Sequence, residues 1–187
     1  MKYPNKKNTY QKANIGAANR GMSLEDDINK SNNYYLLNKK ANIHKKPTPI
    51  TIVKVDYPKR SAAKIIEAYF KLPSTTDYNG IYKGRYIDFE AKECNSKTSF
   101  PFSSIHEHQI KHLEDVYNHG AIAFVILRMT YYNIDYLIKA QDFLNYYNES
   151  SRKSIPYSWI NEHGYKIKLK YQCPCDYLEL LDEVYEL

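Results

Sequence analysis

The sequence predicts an α/β fold, with a mixed central β-sheet flanked by helices. Three observations lead there. Arg85 to Lys92 alternates apolar and charged side chains with the period of two that a strand imposes. Ala121 to Leu127 is a near-continuous apolar run, as expected of a strand covered on both faces. Two further segments, Ser23 to about Asn38 and Ser103 to about Asn118, carry the end signals and apolar spacing of amphipathic helices. Strands interleaved with helices in this way build a layered core.

Taken in order, the chain opens with a basic segment. Residues 1–19 contain Lys2, Lys6, Lys7 and Lys12, no acid and few apolar residues, so they read as an N-terminal arm able to touch phosphates. The rest, 20–187, reads as one domain, long enough for a core without disulfides. Ser23-Leu24-Glu25-Asp26 matches a capping box and starts the first helix, with Leu24, Ile28, Tyr35 and Leu36 turned inward. Glu25 in its first turn either favours the helix dipole or faces an active site as an auxiliary acid. Ala41 to Lys45 and Ile50 to Asp56 read as strands parted by Pro47-Thr48-Pro49.

Residues 57–72, basic in front and apolar behind, interrupt the sheet. They form either a projecting arm or a short helix packed on it. After the Arg85–Lys92 strand and a polar loop, the second helix turns Ile105, Leu113, Val116 and Tyr117 inward and stops at Gly120. Tyr132 to Ile138 and Tyr165 to Lys170 read as strands, with helices at Ala140 to Tyr147 and Asp176 to Glu186.

Charge and cysteine usage narrow the function classes. Lys+Arg 27 against Asp+Glu 21 gives a net charge of +6, a modest basic excess that favours a polyanionic partner. No apolar run approaches a membrane span and no signal-like segment follows the first lysines, so the expected compartment is the cytoplasm. Cys94 stands alone and Cys173-Pro174-Cys175 has the wrong spacing for a zinc knuckle or a redox pair. His106, His108 and His112 lack a ligand set that would complete a zinc site and read as solvent- or phosphate-facing.

The chemistry concentrates on one strand. Ile87, Phe89 and Ala91 fall on one face of Arg85–Lys92; Asp88, Glu90 and Lys92 fall on the other. Asp77 lies upstream, across a turn-rich segment ending in Asn79-Gly80. An acid, a spacer and then Glu-x-Lys on a strand is the pattern of a metal-dependent nuclease. Mg²⁺ needs only one or two carboxylates beside a scissile phosphate. Glu90 and Lys92 should stand about 7 Å apart, suited to flanking one phosphate. The same alternation also describes an ordinary solvent-facing strand. Gln109, on the helix that follows, could reach the metal shell or its water.

Several segments together carry a more specific signal. They are Asn19-Arg20-Gly21-Met22-Ser23-Leu24-Glu25, His44-Lys45-Lys46-Pro47-Thr48-Pro49, Tyr57-Pro58-Lys59-Arg60-Ser61-Ala62, Thr75-Thr76-Asp77-Tyr78-Asn79-Gly80 and Gly84-Arg85-Tyr86-Ile87-Asp88-Phe89-Glu90-Ala91-Lys92-Glu93. In order and spacing, from about Arg20 to Leu127, they resemble the RecU family of Holliday-junction resolvases; beyond Met129 the likeness is looser.

The resemblance implies a restriction-endonuclease-like core of the PD-(D/E)xK type with a projecting stalk at about 57–72. It implies a homodimer that nicks two strands of a four-way junction with Mg²⁺, or Mn²⁺ in its place. Carried over residue by residue, the metal positions are Thr75, Asp77, Glu90 and Gln109. Lys92 assists the transition state, and Asp88 is a further active-site acid. The DNA-facing charges are Arg20, Lys59, Arg60, Lys64, Lys71 and Arg85. Arg60 falls on a stalk position linked to RecA modulation, and a branch-migration helicase is a further implied partner. The alternatives are a non-catalytic junction-binding or recombinase-modulating protein, and a duplex-specific nuclease of the same superfamily.

Overall fold

A computed structural model of the protein describes residues 23–71 and 75–187; the N-terminal arm, Arg20 and the last residue of the 57–72 segment lie outside them. The elements begin with helix α1 (Leu24–Leu37), strands β1 (Asn42–Lys45), β2 (Ile50–Asp56), β3 (Lys64–Phe70), β4 (Tyr78–Tyr82), β5 (Arg85–Cys94) and β6 (Ser99–Pro101), and helix α2 (Glu107–Asn118). They continue with β7 (Ile122–Met129), β8 (Ile134–Lys139), α3 (Ala140–Glu149), β9 (Ser154–Pro156), α4 (Tyr157–His163), β10 (Tyr165–Lys166) and α5 (Tyr177–Val184).

The six-stranded central sheet has the order β1-β4-β5-β7-β8-β10. It is mixed: β5 and β7 run parallel, and every other neighbouring pair is antiparallel. The parallel pair needs a crossover, and α2 supplies it. Alternation along β7 divides the core. Ile122, Phe124 and Ile126 join α1 and α5 through Leu24, Ile28, Tyr35 and Leu181. Ala123, Val125 and Leu127 join α2, α3 and α4 through Ile110, Leu113, Phe143 and Ile160. Helices therefore cover both faces, and the apolar run over 121–127 is buried for that reason.

Local signals explain most boundaries. The Ser23 side chain accepts the Asp26 N–H and caps α1. Gly120 takes φ +84° just past α2, where a side chain would be strained. Gly80 is required by crowding, since a Cβ there would overlap the Asn42 carbonyl and the Ile43 backbone across the β1–β4 pair. Arg128 ties distant parts of the chain together: its guanidinium meets Asp135 at 2.7 Å and Asp27 at 2.8 Å.

Three expectations change. Leu36 is exposed, because the helix stripe facing the sheet passes through Leu24, Ile28 and Tyr35 instead. The strand expected over 165–170 keeps only Tyr165 and Lys166 in the sheet, and strands β4, β6 and β9 and helix α4 were not foreseen. The segment after Asp56 is not a helix packed on the sheet; it holds one 3-10 turn at Arg60–Ala62 and is otherwise extended. It is the return half of an antiparallel ribbon in which β3 pairs with β2, running from Ile50 opposite Phe70 to Asp56 opposite Lys64. The ribbon therefore starts seven residues before Tyr57, and all of β2 and β3 is exposed.

Candidate active site

Strand β5 carries the site because its two faces differ. Ile87 and Phe89 face the apolar layer beneath α1 and α5, where Phe89 stacks between Tyr78 and Phe124. Asp88, Glu90 and Lys92 face the other way, as alternation requires. That face does not look into water. Helix α2 lies over it, leaving Asp88 0% and Glu90 1% exposed.

Buried carboxylates persist only when their oxygens are satisfied, and here they are. Gln109 Nε2 donates to both oxygens of Glu90, each at 3.0 Å. Its Oε1 accepts the His106 N–H at 3.1 Å, so one amide caps α2 and grips β5. The Asp77 N–H donates to Glu90 Oε2 at 3.2 Å. Lys92 Nζ bonds Glu90 Oε1 and reaches Asp77 Oδ2 at 3.3 Å. Asp77, Glu90, Lys92 and Gln109 thus meet in one notch.

Asp88 occupies a second position on the same face, one pleat earlier. Lys46 Nζ donates to its Oδ2 at 2.7 Å, Thr76 Oγ1 to its Oδ1, and the Tyr86 hydroxyl to its Oδ2 at 2.8 Å. His112 Nε2 stands 3.4 Å away. Gln109 and His112, three residues apart on α2, therefore dock on Glu90 and Asp88 respectively.

The electrostatics follow from this burial. Desolvation raises the Glu90 carboxyl; Lys92 opposes it and Asp77 adds to it, for a net pKa of about 8. For Lys92, burial alone would lower the ammonium, but attraction to Glu90 and Asp77 outweighs it and raises its pKa. At neutral pH the lysine is a cation. It can neutralise developing negative charge, and it is a poor base.

The remaining candidates spread outward from the notch. Thr75 lines a cleft of about 400 Å³ with Lys45, Lys46, Pro47, Thr76 and Asp77, so it reaches the open side of the site. Glu25 pairs with Lys45 at 2.5 Å above that cleft and does not touch Asp77 or Glu90. Arg85 is exposed at the head of β5, beside a groove of about 650 Å³ shared with Tyr86, His112 and His119. Lys59, Arg60 and Lys64 ring the exposed tip of the ribbon, while Lys71 sits at its base, bonded through its N–H to Pro49. Among the described residues no group of three or more His, Cys, Asp or Glu side chains forms a metal cage. His106 stacks on His108 with ring centroids 5.3 Å apart.

Lys46, Thr76, Tyr86 and His112 went unassigned at the sequence level. The one signal in the sequence is that Lys46 directly follows strand β1. Its meaning depends on β1 pairing with β4, the strand that begins right after Asp77.

The Recombination protein U family model matches residues 19–183. The Holliday junction resolvase RecU of Geobacillus kaustophilus is 51% identical over 195 residues, covering 99% of this chain and 98% of that protein. The proteins of the same name from Bacillus cytotoxicus and Bacillus mycoides are each 52% identical, over 96% and 98% of this chain and 88% and 90% of their own.

Proposed function

The chain belongs to the Recombination protein U family, and from that premise we propose that it is a structure-selective endodeoxyribonuclease resolving Holliday junctions by paired symmetric nicks. The observation that carries the chemistry is the convergence of Asp77, Glu90 and Lys92, distant in sequence, with one ammonium touching both carboxylates.

The donor set fits a hard divalent cation. Asp77 and Glu90 supply carboxylate oxygens, Thr75 borders the open side, and phosphate and water oxygens would complete the shell of Mg²⁺ or Mn²⁺. When bound, such a cation polarises the phosphoryl group and lowers the pKa of a coordinated water. The chain's own residues do the rest. Gln109 fixes the Glu90 carboxylate plane with its two amide contacts. Lys92, held as an ammonium, neutralises charge on the pentacovalent phosphorus and orients the attacking water, leaving 5′-phosphate and 3′-hydroxyl ends.

Junction selectivity is assigned to the ribbon and to a second copy of the chain. Paired nicks on a two-fold junction call for two identical sites. A two-stranded ribbon is marginal alone, yet this one exposes Val53, Ile66, Tyr69 and Phe70. A homodimer that packs ribbon against ribbon would cover those side chains and present Lys59, Arg60 and Lys64 to the junction centre. Arg60 at the tip is also the position for RecA modulation, with a branch-migration helicase as the other assigned partner. Three free thiols, Cys94, Cys173 and Cys175, suit the reducing cytoplasm, and no described helix is long and apolar enough to cross a membrane.

The test is a synthetic mobile junction with Mg²⁺ or Mn²⁺. Asp77→Asn and Lys92→Ala should bind the junction and fail to cut it; cleavage retained in both refutes the assignment. Cleavage of linear duplex at an equal rate favours the duplex-specific alternative. A gel shift without cleavage by the unmodified protein at any divalent metal favours the non-catalytic binder.

A further inference from the structure

Among the described residues the side chain of Asp77 meets Lys92 at 3.3 Å and stands against the Glu90 carboxyl, and it is about one-third exposed. Its position must therefore be set largely by its backbone, and Lys46 holds that backbone. The Lys46 N–H donates to the Asp77 carbonyl at 2.8 Å, extending the β1–β4 pairing by one step beyond Lys45 opposite Tyr78. The Lys46 side chain then folds back over the neighbouring residue. Its Nζ donates to Thr76 Oγ1 at 2.9 Å and to Asp88 Oδ2 at 2.7 Å, while Thr76 itself donates to the other oxygen of Asp88.

We propose that Lys46 and Thr76 are positioning residues for the nuclease site, locking the Thr76–Asp77 segment onto β5 so that Asp77 faces Glu90 and Lys92 at a fixed distance. Asp88 is the anchor of this lock: fully buried, it receives Lys46, Thr76 and Tyr86 together. The inference rests on Asp77 and Glu90 being the metal carboxylates.

A basic residue beside a cleft could instead contact a DNA phosphate. The geometry speaks against that for Lys46. An ammonium has three donors; Thr76 and Asp88 take two, and His112 Nε2 stands 3.4 Å from the same nitrogen. Its side chain is only 16% exposed. Its neighbour Lys45, at 38%, is the outward-facing one. Groups that hold a ligating carboxylate commonly control metal affinity by about 10- to 100-fold, and a misplacement of about 1 Å can cost about 100-fold in rate.

The test uses the full chain with Lys46→Met, Lys46→Arg and Thr76→Val. Mn²⁺ binding without DNA is measured by calorimetry, alongside Tm, junction affinity over a salt series and single-turnover cleavage. Lys46→Met should weaken Mn²⁺ binding by about 10- to 100-fold and slow cleavage in proportion. Junction affinity and its salt slope should stay unchanged. Lys46→Arg, which keeps a charge beside Asp88, should fall between it and the unmodified protein. If Lys46→Met fails to fold because Asp88 is left buried and unpaired, Thr76→Val decides: it carries no charge change and should lose Mn²⁺ affinity with little change in Tm.

Unaltered Mn²⁺ affinity in the folded variants overturns the inference. So does a junction salt slope reduced by about 0.9, the mark of one phosphate no longer neutralised. An unmodified protein that neither binds Mn²⁺ nor cuts would instead sink the nuclease assignment on which the inference stands.

Discussion

The notch under α2 and the ribbon of β2 and β3 invert each other. In the notch, Asp88 and Glu90 are buried where apolar side chains would ordinarily pack; in the ribbon, Ile66 at 58% and Tyr69 at 62% exposure stand where polar ones would. The two depart from the usual arrangement for opposite reasons. Burial of the carboxylates is tolerable because donors from Lys46, Thr76, Asp77, Tyr86, Lys92 and Gln109 satisfy their oxygens within the chain. Exposure of the ribbon has no such internal answer. Among the described residues nothing covers its apolar side chains. The difference separates a notch whose polar groups are satisfied within the chain from a ribbon whose apolar groups the described residues leave open.

The notch is the first place to test this contrast. Glu90→Gln keeps the shape and one of the two Gln109 contacts but removes the charge that would hold the proposed cation. Single-turnover junction cleavage should fall by about 100- to 1000-fold, with junction affinity retained. A smaller fall, under about tenfold on the same scale, would mean that the buried acids are structural.

The next effect is titration. The Glu90 pKa is raised from 4.5 to about 8 in the folded protein. Between those values the folded state holds a proton that the unfolded state has released, so stability falls as pH climbs through that window. Metal-free protein should therefore lose up to a few kcal/mol from about pH 5 to pH 8, relative to Glu90→Gln, in paired denaturant titrations. Because a bound cation requires the ionised carboxylate, Mn²⁺ affinity should climb about tenfold per pH unit toward pH 8. Parallel stability curves for the two proteins would contradict the assigned protonation.

The ribbon side is probed by charge. Replacing Lys59, Arg60 and Lys64 with Ala should flatten the salt dependence of junction binding by about 0.9 for each phosphate that the ribbon no longer neutralises. Each substitution should leave core stability within about 0.5 kcal/mol. An unchanged slope would place the DNA elsewhere.

The smallest effect belongs to Glu25, between helix start and cleft. Its pair with Lys45 is solvent-exposed, so Glu25→Ala should cost under about 1 kcal/mol in denaturant unfolding. A larger loss would show that the pair fastens α1 to the cleft wall.

Which features were legible in the sequence follows from range. Alternation in Arg85–Lys92, the apolar run over 121–127, the Ser23 cap and the Gly120 stop act within a few residues, and each marks its element in the structure. Asp77, Glu90, Lys92 and Gln109 stand out by residue type and spacing, and Thr75 by family likeness alone. Lys46 does not, since a lysine after a short strand has no local mark of what it will touch. His112 read as a surface histidine until α2 came down on β5. Strand β3 was obscured for a similar reason: its partner β2 lies across a Pro-containing turn, and a ribbon exposed on both sides leaves no buried stripe to betray its period.

By itself, then, the amino-acid order determined the alternation of strands and helices, the residue types of the proposed catalytic group and the basic bias that suits DNA. Only the tertiary arrangement decided that the acidic face of β5 is covered, that Lys46 and Thr76 fasten Asp77 beside Glu90, and that β2 and β3 stand apart as a ribbon. Periodicity reports on neighbours along the chain. Burial of a charge and the pairing of distant segments depend on which surfaces meet, and that is settled by sheet order and helix docking.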